Sequence, residues 1–354
     1  MRILRTLSGK GVHSMTLKEI AAKAGVSVST VSRVVNSKNA KAASPEVCNR
    51  IWQIVRETGY TPNPNAQSLQ HGSSGLPQTP KGKIYVIFAR KIDSYIDPFF
   101  TDLMHAIEKE AFTRKYPIQT IMTDVELQSI NAGSIEKHSA AIILGQINDA
   151  NLSLLRVRFK HLVYIGLNAL PENAKIDQVL CSGYKAARSA VAYLAGLGHR
   201  RIFYVGETRN EERYEGYMDE MKSLGIPTTP DFVHQSQLSP HGGYQCTVNI
   251  LSRKLSCSAI FCANDDTAIG VVRALLEHGV DVPGEVSVIG MDDIEMSRYL
   301  SPMLTTVHIP TEEMGQQAAK VLIDRMEGGH KTPMKIKFPC SLSPRESCTA
   351  PKGK

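Results

Sequence analysis

Ser29, Thr30 and Arg33, with Val28 beside them, are the residues whose types and spacing point most directly to chemistry. They group hydroxyls and a guanidinium at the start of a short helical pattern, which suits contact with a nucleic acid. The elements that must hold them can be read from the surrounding residues. Thr16 and Glu19 have capping-box spacing, and Leu17, Ile20, Ala21 and Ala24 recur at i, i+3, i+4, i+7, one buried helical face. Gly25 ends that helix. Ser27 caps a second helix, in which Val31, Val34 and Val35 point to the same small core and leave the polar group outward. The pattern predicts a helix-turn-helix; the alternative is a surface helical hairpin with no DNA role.

Charge favours DNA. Residues 1–75 hold ten Lys and Arg against three acids, a net +7, which equals the formal charge of the whole chain, so the remainder is neutral. Such a concentration of positive charge is what phosphate binding uses. A third helix is expected after the hairpin, capped by Ser44, with Pro45 in its first turn, Val47, Ile51, Ile54 and Val55 inward, and Gly59 at its end. Pro62 and Pro64 then break the chain, residues 65–70 form a short helix expected to order only on DNA, and 72–83 read as a flexible tether.

From Ile84 the pattern becomes β/α alternation. Short apolar runs at 84–88, 141–144, 162–165, 201–205, 259–263 and 286–290 are strand candidates. Helical stretches lie near 100–115, 183–197, 211–224, 265–278 and 312–327. This predicts parallel sheets covered on both faces, in two doubly wound lobes with ligand in the cleft between them. No apolar run approaches the length of a membrane span, and the leader has no sustained apolar core, so a cytoplasmic protein is expected. The seven cysteines are scattered and lack CxxC pairing, as expected of reduced thiols. No cofactor or metal site is expected.

Together these features resemble the LacI/GalR family of bacterial transcription regulators, from about Met15 to Ser347. The resemblance rests on residues 16–36, GYTPN with AQSLQ (59–70), DPFF (97–100), GHRRI (198–202), RYEGY (213–217), 261–275, VSVIGMDD (286–293) and SPMLTTV (301–307). It implies an all-α helix-turn-helix headpiece plus an α/β periplasmic-binding-protein-like (type 1) two-lobed domain with parallel sheets. The expected boundaries are a leader over 1–14, a headpiece over 15–62, hinge helix and linker over 63–82, and an effector-binding and dimerisation domain over 83–348. Lobe 1 would take 83–180 and 308–334, and lobe 2 would take 181–307 and 335–348, with chain crossings near 180, 307 and 334.

The resemblance also assigns roles. Val28, Ser29 and Arg33 stand where the family reads bases, and chemically Val28 suits a thymine methyl while Arg33 can fork onto guanine. Thr16, Ser27, Thr30 and Asn36 would hold phosphates; Asn63, Ala66 and Leu69 fall in the hinge, with Leu69 as its minor-groove wedge. For the effector, Asp97, Phe99, Phe100, Arg213, Asn264 and Asp292 match cleft positions. Asp97 could equally be a helix cap, Asp292 a loop cap and the Phe pair ordinary core. The implied partners are palindromic double-stranded operator DNA, a small-molecule effector, expected to be a sugar, and a second copy of the chain; no membrane is involved. The loop at 37–43 is longer than in the lactose and purine repressors, and the first lobe is shortened between Tyr116 and Ala140. With the TD at 123–124, these departures look most like the branch holding the evolved β-galactosidase repressor, tilting the effector toward a galactoside.

An enzyme is not expected. There is no GxSxG, HExxH, Walker or dinucleotide fingerprint, and the histidines, most of them expected at the surface, show no i, i+4 pair. Asn264-Asp265-Asp266 suits one ligand contact and one cap better than paired acid–base carboxylates. Two further readings stay open: a corepressor-dependent or phosphocarrier-linked regulator of the same family, and a non-enzymatic sugar-binding receptor.

Overall fold

The computed structural model describes residues 17–36, 47, 50, 51, 54, 81–89, 97–123 and 140–352. The chain divides into two units, Met1–Gln78 and Thr79–Lys354.

In the first unit, α1 (Leu17–Ala24) and α2 (Val28–Asn36) are joined by the expected turn. Gly25 takes a φ of +66°, the left-handed backbone that a glycine accepts without a Cβ clash. The core is Ile20, Ala21, Ala24, Val31, Val34 and Ile51, with Val26, Val47 and Ile54 against it. Val47, Arg50, Ile51 and Ile54 are helical, consistent with the third helix. The side chains of Leu17 and Val35, the cap at Ser44 and the segment 65–70 lie outside the described residues.

The second unit contains two six-stranded sheets. The first runs β11-β5-β4-β3-β1-β2, with β1 (Ile84–Phe88), β2 (Ile118–Thr123), β3 (Ala140–Leu144), β4 (His161–Gly166), β5 (Asp177–Cys181) and β11 (Lys335–Phe338), all parallel. The second runs β12-β10-β9-β8-β6-β7, from β6 (Ile202–Gly206), β7 (Val233–Gln235), β8 (Ala259–Cys262), β9 (Ser287–Asp292), β10 (Thr305–His308) and β12 (Ser341–Ser343). In it β10 and β12 pair antiparallel, and the remaining pairs are parallel. The central strands β3, β6 and β8 are apolar and buried throughout because helices cover both faces. On the first sheet these are α3 (Pro98–Thr113), α4 (Asp149–Arg158) and α9 (Thr311–Met326). On the second they are α5 (Gly183–Gly196), α6 (Glu212–Ser223), α7 (Pro240–Ser252) and α8 (Asp265–Glu277).

One expected boundary is corrected. Residues 335–338 do not belong to the second lobe, because β11 pairs in parallel with β5 and extends the first sheet. The third crossing therefore lies between Phe338 and Ser341, not at 334. The other two follow Cys181 and His308, close to the expected positions. The segment after Ser347 is docked rather than a loose tail. The Thr349 N–H donates to Ser287 Oγ at 3.0 Å, and its carbonyl meets His199 Nε2 at 2.9 Å. His199 and His234 are buried, two exceptions to the expected surface placement, and burial pushes both below the usual histidine range. Among the described residues, no helix is long and apolar enough to cross a membrane.

Candidate functional site

Both sheets repeat one arrangement: the strand that comes first in the chain has its successor on one side and the rest on the other. The reversal falls between β1 and β3 in the first sheet and between β6 and β8 in the second. Loops leaving the carboxyl ends of strands at such a reversal diverge and open a crevice. A cavity of about 250 Å³ sits there, lined after β1 by Ala89, after β3 by Gly145 and Gln146, after β6 by Glu207, and after β8 by Asn264. Its size is at the small end for organic ligands.

All six residues expected in a cleft line this one cavity: Asp97, Phe99, Phe100, Arg213, Asn264 and Asp292. Asp97 also serves as the cap of α3, its Oδ1 accepting from Phe99 N at 3.0 Å, as its cap reading expected. Phe99 is buried and meets Phe100 edge-on at 5.2 Å; Phe100 in turn meets Phe88 at 6.2 Å. Asn264 caps α8 through its oxygen, which accepts from Thr267 N at 3.0 Å. What it can still offer a ligand is its side-chain NH₂.

Arg213 is more committed than its sequence position suggests. Its Nε and Nη2 both donate to Glu211 at 2.7 Å, and Nη1 donates to the Ala263 carbonyl at 2.8 Å. Three of five guanidinium donors are thus used, and the pair is buried. Glu211 also caps α6 by accepting from Arg213 N. Sequence reasoning missed Glu211; its signal was an acid just before a helical pattern.

Asp292 ends β9 with a φ of 121°, backbone that side chains rarely adopt. Its Oδ1 is buried and has no hydrogen-bond partner among the described residues. Burial, reinforced by the charges of Asp265 and Asp97, pushes its carboxyl well above the ordinary range, with Arg213 opposing. Asn168, also missed, follows β4, donates to the Asn210 carbonyl at 3.4 Å, and leaves its buried Oδ1 unpartnered. Both orphaned oxygens belong to cavity residues, and both are acceptors. Asp265 does not face the cavity. It accepts from Ile294 N at 3.0 Å and Thr306 Oγ1 at 2.6 Å, tying α8 to the loop after β9 and to β10. Among the described residues, no cluster of His, Cys, Asp and Glu could hold a metal.

At the N-terminus of α2, Ser27 Oγ accepts from Thr30 N at 3.1 Å, the expected cap, and lies 2.7 and 2.8 Å from the Ser29 and Thr30 hydroxyls. Val28 is 37% exposed and Ser29 is exposed, an outward set of one apolar and several hydroxyl groups. Arg33 and Asn36 lie in α2, but their side chains, and Thr16, Asn63, Ala66 and Leu69 altogether, are outside the described residues.

Comparison with known proteins agrees with both units. Residues 16–63 match the bacterial regulatory proteins of the lacI family, and residues 191–348 match a periplasmic binding protein-like domain. The HTH-type transcriptional repressor PurR of Pasteurella multocida is 29% identical, over 88% of this chain and 92% of its own length. The repressor MelR of Bacillus subtilis is 28% identical, over 94% and 97%. A LacI family transcriptional regulator from Enterococcus faecium with bound ribose has a TM-score of 0.67 and 26% identity, over 76% of this chain and 100% of that one. The chain thus joins a DNA-binding segment of the lacI family to a periplasmic binding protein-like domain, and it is similar to HTH-type transcriptional repressors along nearly their full length.

Proposed function

We propose that this protein is a sequence-specific repressor of carbohydrate-utilisation genes, released from a palindromic operator by a neutral sugar held in the cavity between the two sheets. The observation that carries the effector reading is the pair of buried, unpartnered acceptors, Asp292 Oδ1 and Asn168 Oδ1, beside an apolar Phe99–Phe100 wall. Such acceptors call for ligand hydroxyl donors, and the rings suit the C–H face of a sugar. Asp97, Glu207 and Glu211 lie around a single guanidinium already paired with Glu211, so an anionic effector finds no free positive charge among these cavity residues. The ribose held by the Enterococcus faecium relative supports the same ligand class.

On the DNA side, Val28, Ser29 and Arg33 read base edges; Thr16, Ser27, Thr30 and Asn36 bind phosphates. Asn63, Ala66 and Leu69 form the hinge, with Leu69 wedged into the minor groove at the operator centre. A homodimer presents two headpieces to the two half-sites. Sugar closes the cavity, moves the first lobes apart and unfolds the hinges. Switching occupancy from nearly full to nearly empty requires the effector to distinguish the two states by roughly 5.5 kcal/mol.

The test is fluorescence anisotropy of a labelled palindromic operator pool at physiological salt, challenged with galactosides, other neutral sugars, uronates and purines. Release by a neutral sugar is the expected result. Tighter binding with any ligand would make the protein corepressor-dependent, and release by a uronate would overturn the charge reading. In the same assay Leu69→Ala should lose specific affinity while retaining salt-sensitive binding to random DNA. Equal loss on both would remove the wedge.

A further inference from the structure

Cys181 and Cys340, far apart in sequence, meet where two of the three connections between the lobes leave the first sheet. Cys181 is the last residue of β5, and Ser182, the next, caps α5, which packs on the second sheet. Cys340 lies between β11 of the first sheet and β12 of the second. Parallel pairing of Phe338 with Cys181 brings the two connections abreast, and Cys340 packs against the apolar cluster that contains Cys181. Both sulfurs are free, with Cys181 buried and Cys340 half-buried.

The pair is electrostatically asymmetric. The neighbouring Cys181 thiol, helped by the Cys340 backbone N–H and the Lys185 ammonium, outweighs burial and brings Cys340 down to about 7. Cys181 is pushed up, because the neighbouring Cys340 sulfur and its own burial both disfavour its thiolate. Burial pushes Cys246 up to about 11, and Cys257 and Cys348 up to about 12. Cys340 is therefore the described thiol that ionises near neutral pH, and its contact partner is a second thiol rather than a metal or an acid.

We propose that Cys340 and Cys181 form an oxidation site at which a peroxide converts the two thiols to a disulfide, tying together two of the connections between the lobes. The Cys340 thiolate attacks a peroxide oxygen, the O–O bond breaks, and the departing hydroxide takes up a proton to become water, leaving a sulfenic acid. The Cys181 sulfur then attacks the Cys340 sulfur, the S–O bond breaks, and the second hydroxide leaves with the Cys181 proton as water. Two thiols lose two electrons and one peroxide becomes two waters. The crosslink ties the β5–α5 connection to the β11–β12 connection, and lobe rotation must bend both. Oxidation thereby damps the response to ligand; this consequence rests on the cavity being the effector site.

The experiment treats the reduced full-length protein with stoichiometric hydrogen peroxide, digests it without reductant and maps the peptides by mass. A Cys181–Cys340 peptide pair lacking two hydrogens is expected, and it disappears in Cys340→Ser. In Cys181→Ala, the sulfenic acid on Cys340 should accumulate and be trapped by dimedone. Iodoacetamide at pH 7 should modify Cys340 at least tenfold faster than Cys257. Equal alkylation rates, or two intact thiols after peroxide, would overturn the site. Sugar-induced operator release is then compared in oxidised and reduced protein. Unchanged release with the crosslink in place overturns the damping. If no sugar releases the reduced protein, the effector reading fails while the mapped disulfide stands.

Discussion

Asp292 combines two unfavourable situations in one residue: a left-handed backbone with a Cβ, and a buried carboxyl with an unpartnered oxygen. Each costs on the order of 1–3 kcal/mol, and such costs concentrate where a ligand is handled. Replacing Asp292 with glycine should therefore keep or raise the melting temperature while abolishing sugar binding, measured by calorimetric titration. Asp292→Ala should lose binding without that relief, and a glycine variant that still binds would exclude Asp292 from ligand contact. Asp265 gives a separate pH signature. Burial holds its carboxyl up to about 8, against an ordinary 3.8. The folded protein then keeps this proton where the unfolded chain has lost it, so the stabilisation is complete below about 4 and is lost as pH rises through about 8. Between pH 5 and 8 the loss is at most about 4 kcal/mol, at 1.36 kcal/mol per unit. Denaturant titrations should show that slope, flattened in Asp265→Asn.

At the scale of elements, α7 and α8 approach until their backbones nearly touch. A Cβ on Gly270 would come within 1.9 Å of the Pro240 carbonyl oxygen, and one on Gly243 within 2.1 Å of that of Thr267. Gly270→Ala must push the helices apart, with a destabilisation of about 2–4 kcal/mol expected by chemical denaturation, against about 1 kcal/mol for the propensity effect alone of Ala268→Gly. The same helix pair shows where sequence patterns mislead. Two consecutive glycines (242 and 243) make α7 look like a loop, yet they are what lets it pack. The strands that could be read were those with apolar runs buried on both faces, such as β1, β3 and β8. β5 went unread because it begins with Asp177, buried here against Arg325, a partner 148 residues away. β11 escaped because its two lysines suit an edge strand but dilute the apolar signal. The cleft residues were legible through family resemblance at six positions. Glu211 and Asn168 were not, since their roles depend on which loops the two strand reversals bring together.

At the scale of the whole molecule, the net charge of the first 75 residues equals that of the entire chain. Binding to DNA should accordingly be dominated by counterion release. Between 50 and 200 mM salt, operator affinity is expected to fall by on the order of a thousandfold or more, as for proteins contacting ~6–10 phosphates. A weak salt dependence in anisotropy titrations would locate the recognition chemistry elsewhere. The three crossings also set a timetable for biosynthesis. Neither lobe is a continuous stretch of chain: the first sheet gains its edge strand only with β11, and the second only with β12. Roughly 150 residues separate β5 from β11, so at about 5–20 residues per second a nascent first lobe waits some 8–30 s for its last strand. Both halves of the body are thus completed almost together, once β11 and β12, only a few residues apart, have left the ribosome.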